Sequence, residues 1–332
     1  MKKLFQTFDV KIFLLGTFLL VLYGACSENE VIVENRESID LVNRQDSLTL
    51  VSLYRKMDGQ SWSEGYHWDL SKPVKEWNGV TLELQNDEFR VVGLWFMDTQ
   101  KINGELTKEI GDLSALRLLS VTGRNLRGEI PVEIGRLKEL RRLMFYETGL
   151  TGPIPKEIGN LVQLQNLTVE KNSKLTGGLP VEIGQLMELT FLNISDNPQL
   201  GGVLHPEFGN LEQVEIFYLR RNGLSGQIPK ELANINKLKD LNLDGNVLTG
   251  SLPKELALTN IKYISIGSNQ IEGPIPEEFG NSQVSLWASR NNLSGTIPSG
   301  LLNRYTQNHL DRYFCPQNSG YGFLNCTSKL LK

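Results

Sequence analysis

The sequence has few of the side chains on which most enzyme chemistry depends. Its 332 residues include three histidines, three cysteines and five methionines. His67, His205 and His309 fall in separate parts of the chain, and the sequence contains no H-E-x-x-H zinc motif, no G-x-S-x-G nucleophile motif and no glycine-rich phosphate loop. These absences predict a protein with no catalytic residues, no metal site and no cofactor, and therefore a protein that is not an enzyme.

The sequence also lacks an excess of basic charge and, after its N-terminus, any long apolar run. A formal net charge of −4 has the wrong sign for binding a nucleic-acid backbone, so no nucleic-acid partner is predicted. The one long apolar run, residues 12–23, is shorter than the roughly 20 residues of a membrane-spanning helix, which excludes a multi-span membrane protein. Apolar residues make up 40% of the chain, which excludes intrinsic disorder as its main state.

The N-terminal residues are arranged as in a signal peptide. Lys2 and Lys3 precede the apolar run, and two small residues, Gly24 and Ala25, follow it. This order predicts a signal peptide over residues 1–25. A signal-anchor helix is the alternative, and the shortness of the apolar run disfavours it.

Cys26 directly follows this segment. A cysteine after Gly-Ala at the end of an apolar run resembles the lipobox of bacterial lipoproteins, and the Ser-Glu-Asn-Glu that follows resembles the acidic tract of surface-exported lipoproteins from Bacteroides-like bacteria. The resemblance implies a diacylglycerol on the Cys26 sulfur, which would hold the protein to the membrane at the outer membrane or cell surface. Residues 26–45 would then be a lipidated, solvated tether. The alternative is an ordinary secreted protein in which the cysteine is incidental.

A repeat of 24 residues fills the middle of the chain. The segments LRGEIPVEIGRLKEL and LTGPIPKEIGNLVQL align at that spacing, and about nine copies occupy residues 89–302. The apolar side chains of one copy are too few for it to fold alone, so neighbouring copies must stack. Part of each copy alternates inward and outward side chains as a strand does, which predicts a parallel ladder with one strand per copy.

The frame of the repeat, L-x-x-L-x-x-L-x-L-x-x-N-x-L-x-G-x-I-P, resembles that of leucine-rich repeats. Its L-T-G-x-I-P segment resembles the plant-type subclass, which also occurs in bacterial surface proteins. The resemblance implies an α/β repeat fold: a right-handed solenoid with a parallel concave β-sheet and an irregular convex side of 3-10 turns and short second strands. Plant members carry paired cysteines around a W-x-G-V segment. Trp77-Asn78-Gly79-Val80 keeps that segment without a nearby cysteine, which favours the bacterial branch.

An asparagine follows the strand in six of the copies, where the chain must bend. Its amide donates two hydrogen bonds and accepts others, so it is predicted to satisfy backbone groups inside the bend. The six are Asn172, Asn197, Asn222, Asn246, Asn269 and Asn291, and Thr99, Arg124 and Thr148 stand in their place in the first three copies. The ladder is expected to be less regular in those first copies.

Residues 46–88 are predicted to form an N-terminal cap, because the end of a stacked core must be covered. Asp46 is expected to be the N-cap residue of a helix in which apolar residues recur at helical spacing. Three tryptophans are predicted to fill the core of this cap, with a ligand-stacking platform as the alternative. They are Trp62, Trp68 and Trp77.

Residues 303–332, where the repeat frame is lost, are predicted to form a C-terminal cap. Cys315 and Cys326 lie close together in this segment of a chain predicted to be exported, which favours a disulfide that closes a loop. The alternatives are a redox pair or half of a metal site, which the absence of a nearby third ligand disfavours.

Function is expected on the concave sheet, as the resemblance implies. The outward side chains of the predicted strands mix aromatic, arginine and polar residues, which are the types that anchor interfaces. The candidate ligand-binding residues are Trp95, Met144, Tyr146, Glu170, Asn193, Tyr218, Arg220, Asp244 and Trp287. The sequence thus predicts a non-enzymatic, lipid-anchored cell-surface recognition protein that binds a protein partner. The alternative is a glycan-binding surface lipoprotein, because the same aromatic rings could stack on sugars.

Overall fold

The computed structural model describes residues 42–62, 68–96 and 102–326. The predicted signal peptide, the predicted lipid site at Cys26 and His67 lie outside the described residues, as does most of the predicted tether. In the described part of the chain, no helix is long and apolar enough to cross a membrane.

Within the described residues, the secondary structure consists of many short strands, four α-helices and a series of 3-10 helices. The strands are β1 (Val80–Gln85), β2 (Glu88–Phe96), β3 (Asn103–Glu105), β4 (Leu118–Gly123), β5 (Asn125–Arg127), β6 (Arg142–Thr148), β7 (Gly152–Pro153), β8 (Asn166–Glu170), β9 (Leu175–Thr176), β10 (Phe191–Ser195), β11 (Ile216–Tyr218), β12 (Asp240–Asn242), β13 (Tyr263–Ser265), β14 (Glu272–Gly273), β15 (Ser285–Trp287), β16 (Asn292–Gly295) and β17 (Gly322–Phe323). The helices are α1 (Arg44–Lys56), α2 (Glu278–Asn281), α3 (Ser299–Arg304) and α4 (Gln307–Tyr313).

One ten-stranded sheet runs through all the repeats, in the order β1-β2-β4-β6-β8-β10-β11-β12-β13-β15. Every neighbouring pair from β2 onwards is parallel, and each of these nine strands comes from one copy of the repeat. The predicted parallel ladder is therefore confirmed. β1 was not predicted: it belongs to the N-terminal cap, pairs antiparallel with β2 and forms the first edge of the sheet.

The convex side carries 3-10 helices and short second strands, as predicted. The 3-10 helices of the repeats are Lys108–Asp112, Val132–Arg136, Lys156–Asn160, Val181–Gln185, Pro206–Asn210, Lys230–Asn234 and Lys254–Leu258, and α2 takes their place in the next copy. The short strands pair as β3 with β5, β7 with β9, and β14 with β16, which pairs in turn with β17. Between these elements and the sheet, the repeating apolar side chains such as Leu143, Phe145 and Ile158 are at most 1% exposed.

The six predicted asparagines form a continuous ladder inside the solenoid, and all six are buried. Asn222 shows the pattern: its Nδ2 donates to the carbonyls of Ile194 and Leu219, and its Oδ1 accepts the backbone N–H of Asn197 at 3.1 Å. The backbone N–H of Asn222 in turn donates to Oδ1 of Asn246 at 3.0 Å. All six side chains satisfy backbone groups of the preceding repeat, and all except Asn197 also donate to a carbonyl of their own repeat, which confirms the role predicted for this position.

The residue before each of these asparagines has a left-handed backbone conformation. Lys171, Asp196, Arg221, Gly245, Ser268 and Arg290 have φ between +53° and +69°. Most side chains adopt this conformation only at some cost, so the bend is held by the buried asparagine that follows. In an earlier copy, where Thr148 replaces the asparagine, the pairing of β4 with β6 shifts register between Thr122 and Gly123, in agreement with the predicted irregularity.

The N-terminal cap differs from the prediction at its first turn. The N-cap residue of α1 is Asn43, whose Oδ1 accepts the backbone N–H groups of Gln45 and Asp46. The prediction that Asp46 is the N-cap is wrong, because its carboxylate turns inward, where it is fully buried. It accepts two hydrogen bonds from the Arg90 guanidinium, at 2.9 and 3.0 Å, and the backbone N–H of Val91 at 2.9 Å.

The three tryptophans of this cap form its core, as predicted. Trp62, Trp68 and Trp77 are 6% exposed or less. Trp68 stacks on Trp77 with ring centroids 5.0 Å apart, and it meets Trp62 edge to face at 5.2 Å. Their indole N–H groups donate to backbone carbonyls, so the polar edges of the rings are satisfied inside the cap. Buried rings of this kind cannot serve as an open stacking platform.

The C-terminal cap closes both the sheet and the asparagine ladder. Cys315 and Cys326 form the predicted disulfide, with Cα atoms 5.7 Å apart. The segment that they hold includes Gln317, whose Oε1 accepts the backbone N–H groups of Asn291 and Leu293, each at 3.2 Å. Gln317 therefore does for the last repeat what the next asparagine would do in a longer solenoid, a role that sequence reasoning missed.

Candidate functional site

The outward face of the long sheet presents three rows of side chains, one more than predicted. The register pairs Trp95, Ser120, Met144, Thr168, Asn193, Tyr218, Asn242, Ser265 and Trp287 across successive strands. A row two residues later in each strand contains Tyr146, Glu170, Arg220 and Asp244, and the unpredicted row two residues earlier contains Arg142, Phe191, Asp240 and Tyr263. Side chains of a strand alternate between its two faces, so the position two residues before the first predicted outward residue also faces outward. The third row could therefore have been predicted by extending each strand by two residues at its N-terminal end.

The predicted site residues all belong to this face, but they differ in how far their side chains are exposed to solvent. Trp95 and Met144 are 39% and 37% exposed, and the other seven are half-buried. Trp95, Tyr146, Tyr218 and Trp287 lie on or directly after β2, β6, β11 and β15, so at least one strand separates each ring from the next. Among the described residues these four rings make no contact with one another, so they do not form a single aromatic platform.

The centre of the face is a charged network. Arg220 donates to Asp196 at 2.9 Å and lies 3.7 Å from Glu170. Asn193 Nδ2 donates to the same Glu170 carboxylate at 3.0 Å, and Arg221 contacts Asp196 at 3.4 Å. The three predicted residues Glu170, Asn193 and Arg220 are therefore brought together, and their charges are largely compensated within the protein.

Tyr218 and Asp240 form a second polar pair next to this network. The Tyr218 hydroxyl donates to Asp240 Oδ2 at 2.8 Å, and its ring meets Phe191 edge to face with centroids 6.5 Å apart. Burial, together with the hydrogen bond to Asp240, raises the pKa of Tyr218 to about 12. The hydroxyl thus stays protonated at neutral pH, and the aromatic ring is held in a fixed orientation on the sheet.

Towards the N-terminal side of the face, the contacts are fewer. Met144 Sδ accepts a weak hydrogen bond from the Ser120 hydroxyl at 3.5 Å. The Lys171 ammonium donates to the Tyr146 hydroxyl and lies 4.7 Å from the centroid of that ring. With Trp95, these side chains offer exposed apolar surface beside a cation, an arrangement that suits a protein interface.

Asp244 is a partly buried carboxylate on the C-terminal half of the face. Its oxygens accept the Ser265 hydroxyl at 2.7 Å and the Gly267 backbone N–H at 2.5 Å. Burial outweighs these hydrogen bonds and the nearby arginines, and it raises the pKa of Asp244 above its ordinary value of 3.8. The ionised form is therefore disfavoured at this position in the folded protein.

This shift predicts a pH-dependent gain in stability for Asp244→Asn. A carboxyl whose pKa is raised on folding weakens the folded state as the pH rises through the interval between its unfolded and folded pKa values. We therefore expect Asp244→Asn to have a higher urea midpoint than the wild type at neutral pH, and the difference to vanish in acid. Glu188→Gln, at an exposed site, is the control and should show neither effect. A gain that is independent of pH would contradict the argument.

The C-terminal end of the face carries a cluster of aromatic rings. Tyr263 and Trp287 lie nearly parallel, at 11°, with centroids 5.8 Å apart. Trp287 also meets Tyr313 of α4 edge to face at 5.7 Å, and Tyr313 stacks on His309 at 5.4 Å. Of these four residues only Trp287 was predicted. Tyr313 was missed because it lies in the C-terminal cap, outside the repeat frame.

Comparison with known families agrees with this architecture. The family described as leucine-rich repeat region matches residues 89–195, and the family described as leucine rich repeat matches residues 237–258 and 260–282. The fold is a leucine-rich-repeat solenoid. None of the curated proteins compared matches the chain. Solenoids of this kind are typically non-enzymatic binding scaffolds, and no group of three or more potential metal ligands occurs in the described part of this one.

Several solved plant solenoids are similar to this one. The structure of PEPR1–AtPEP1 has a TM-score of 0.66 and 29% identity, covering 78% of this chain and 40% of that one. The plant peptide hormone receptor RGFR1 in complex with RGF2 has a TM-score of 0.53 and 30% identity, covering 68% and 42%. A plant ice-binding protein has a TM-score of 0.61 and 25% identity, covering 84% and 95%. The chain thus spans about two fifths of the length of the two receptors.

Proposed function

We propose that this protein is a non-enzymatic, lipid-anchored recognition protein of the cell surface, and that its concave sheet binds a protein partner. The observation that carries the proposal is the outward face of the nine-stranded ladder, where aromatic rings, a methionine and arginines stand among short polar side chains. Aromatic residues, methionine and arginine are the types enriched in protein interfaces. The similarity to a plant peptide hormone receptor in complex with its ligand supports the same class of partner.

The pre-ordering of this face favours recognition. The Tyr218 ring is held by Asp240 and the Arg220 guanidinium by Asp196. Side chains that are already fixed lose less conformational entropy when a partner binds, so more of the contact energy remains as affinity. Rigid aromatic and arginine anchors are also the residues whose truncation costs most at interfaces.

The anchor rests on the sequence alone, on Cys26 after the Gly-Ala that ends the apolar run. A lipid on its sulfur would hold the solenoid at the membrane through the residues between Cys26 and α1, a shorter tether than the predicted residues 26–45 because Arg44 and Gln45 belong to the helix. Labelled fatty acid should enter the wild-type protein and not Cys26→Ala. Label in both proteins would refute the anchor and leave the concave recognition surface to be judged by binding.

The recognition surface is tested with the ectodomain, residues 27–332, in a binding screen against extracellular proteins and glycans together. For a protein that binds, we expect Tyr146→Ala and Tyr218→Ala each to weaken the affinity by about tenfold, because both remove an anchor near the centre of the sheet. Val162→Ala is the matched control, since Val162 is exposed on the other side of the solenoid. Glycan hits without protein hits would favour the glycan-binding alternative, and equal affinities of all variants would refute the concave site.

A further inference from the structure

The aromatic cluster at the C-terminal end of the concave face is defined here as Tyr263, Trp287, Tyr313 and His309. Tyr263 is 45% exposed, His309 is exposed, and Trp287 and Tyr313 are half-buried. The cluster joins the last two strands of the sheet to α4, because the Ala288 backbone N–H donates to the Tyr313 carbonyl at 2.8 Å. It is thus a rigid extension of the concave face beyond the last repeat.

The arrangement of the rings in this cluster suits an inserted side chain of a protein better than a stacked sugar ring. Trp287 has Tyr263 nearly parallel on one side and Tyr313 nearly perpendicular on the other, at 11° and 84°. Two ring neighbours at such different angles do not present one flat aromatic face. A sugar ring that stacks on an aromatic side chain needs one open ring face, whereas an aromatic or aliphatic side chain can insert against ring edges.

The cations around the cluster are uncompensated, unlike those at the centre of the face. Lys262, Arg290 and Arg312 are exposed, and none of them has an ion-pair partner among residues 42–62, 68–96 and 102–326. By contrast, Arg220 and Arg221 share the Asp196 carboxylate. The chain as a whole has a net charge of −4, and no ion pair among the described residues offsets the charge of these three cations.

The three cations belong to the elements that carry the rings or directly follow them. Lys262 directly precedes Tyr263 at the start of β13, Arg290 follows β15 at the opposite end of the strands, and Arg312 directly precedes Tyr313 in α4. Two carboxylates belong to the same region: Asp240, which pairs with Tyr263 across the sheet, accepts the Tyr218 hydroxyl, and Asp311 of α4 accepts the Gln307 amide. In the described part of the chain, neither carboxylate forms an ion pair with one of the three cations. Aromatic rings with cations on the same elements are complementary to a ligand in which an apolar side chain is flanked by negative charges.

We infer that this cluster binds an acidic peptide segment of a protein partner, in which an aromatic or aliphatic side chain is flanked by aspartate or glutamate. The apolar side chain packs against Trp287 and Tyr313, and the carboxylates pair with Lys262, Arg290 and Arg312. The inference rests on the proposed function, because it specifies where on the recognition surface a protein partner is held and by which chemistry. The contribution of the carboxylates to binding is sensitive to salt, since the cations are exposed.

The test selects from a library of random short peptides on immobilised residues 27–332, with the disulfide intact. We expect the enriched peptides to carry acidic residues around an aromatic or aliphatic one, and to bind less tightly as salt is raised. Their affinity should fall about tenfold for Trp287→Ala and for the charge reversal Arg290→Glu, because the first removes the anchor and the second an ion-pair partner. Tyr321→Ala, which removes an exposed aromatic side chain next to β17 on the convex side, is the matched control and should bind as the wild type does.

The outcomes separate this inference from the proposed function. Enrichment of acidic peptides whose affinity depends on Trp287 and Arg290 supports the inference. Absence of enrichment, enrichment of basic or uncharged peptides, or equal affinity of both variants and the wild type overturns it. A protein partner that depends on Tyr146 and Tyr218 but tolerates both cluster variants would support the concave recognition surface while overturning the assignment of the cluster. Circular dichroism of Trp287→Ala and Arg290→Glu verifies that each variant is folded.

Discussion

Asn222→Ala is expected to destabilise the solenoid by about 2–6 kcal/mol, because it leaves two buried polar groups without partners at roughly 1–3 kcal/mol for each group. The groups are the carbonyl of Ile194 and the backbone N–H of Asn197, whereas the Leu219 carbonyl keeps the Asn246 amide and the Asn197 Nδ2 keeps the Val169 carbonyl. Asn222 itself is 0% exposed, so water cannot replace the lost contacts without opening the repeat. A loss of this size is a large fraction of the stability of a typical domain.

The expected loss is local as well as large. Each repeat of a solenoid contacts only its neighbours, so the repeats on either side of Asn222 should exchange their amide hydrogens faster while distant repeats stay protected. The measurement is a urea unfolding curve together with hydrogen exchange resolved by repeat. Asn210→Ala is the matched control, because Asn210 is exposed at the end of a 3-10 helix. If the two variants unfold at the same urea concentration, the ladder does not carry the stability assigned to it here.

Much of the fold could be predicted because its contacts recur with the repeat. The inward positions, the parallel ladder and the asparagine position each appear in many copies, so a chance residue in one copy does not hide the pattern. The role of the asparagines was predicted from the chemistry of the amide group as well as from its recurrence in the repeat. An amide that donates and accepts hydrogen bonds is needed wherever a buried bend leaves backbone groups unpaired. The contacts of Asn172, Asn197 and Asn222 follow that requirement in the structure.

Apart from the third outward row of the sheet, the structural features that were missed occur only once. β1, Gln317 and Tyr313 belong to the caps, and a single copy carries no periodic signal. Gln317 could not be identified because nothing in its sequence neighbourhood marks it as a substitute for an asparagine; only the disulfide-closed loop brings its side chain to the ladder. The contacts on the concave face were missed for a related reason. The repeat determines which side chains point outward, but the identities of neighbouring side chains determine which of them pair.

The second large loss of stability is expected in the N-terminal cap, from substitution of Asp46, the residue whose role was predicted wrongly. Asp46 is fully buried and binds Arg90 through both carboxylate oxygens, while also accepting the Val91 backbone N–H. These contacts join α1 to β2, the first repeat strand. Asp46→Ala would leave the partly buried Arg90 guanidinium without its counter-ion, and removing one partner of a buried ion pair costs about 3–5 kcal/mol.

We therefore expect Asp46→Ala to unfold the N-terminal cap at a lower urea concentration than the wild type, seen as an early change in the fluorescence of Trp62, Trp68 and Trp77. Asp46→Asn should fall between the two, because an amide oxygen can still accept the Val91 N–H but cannot neutralise Arg90. Glu83→Ala is the matched control: the Glu83–Arg117 pair is exposed at both ends, and such pairs contribute roughly 0–1 kcal/mol. Equal losses for Asp46→Ala and Glu83→Ala would show that the buried pair does not hold the cap, and that the packing of the three tryptophans is sufficient.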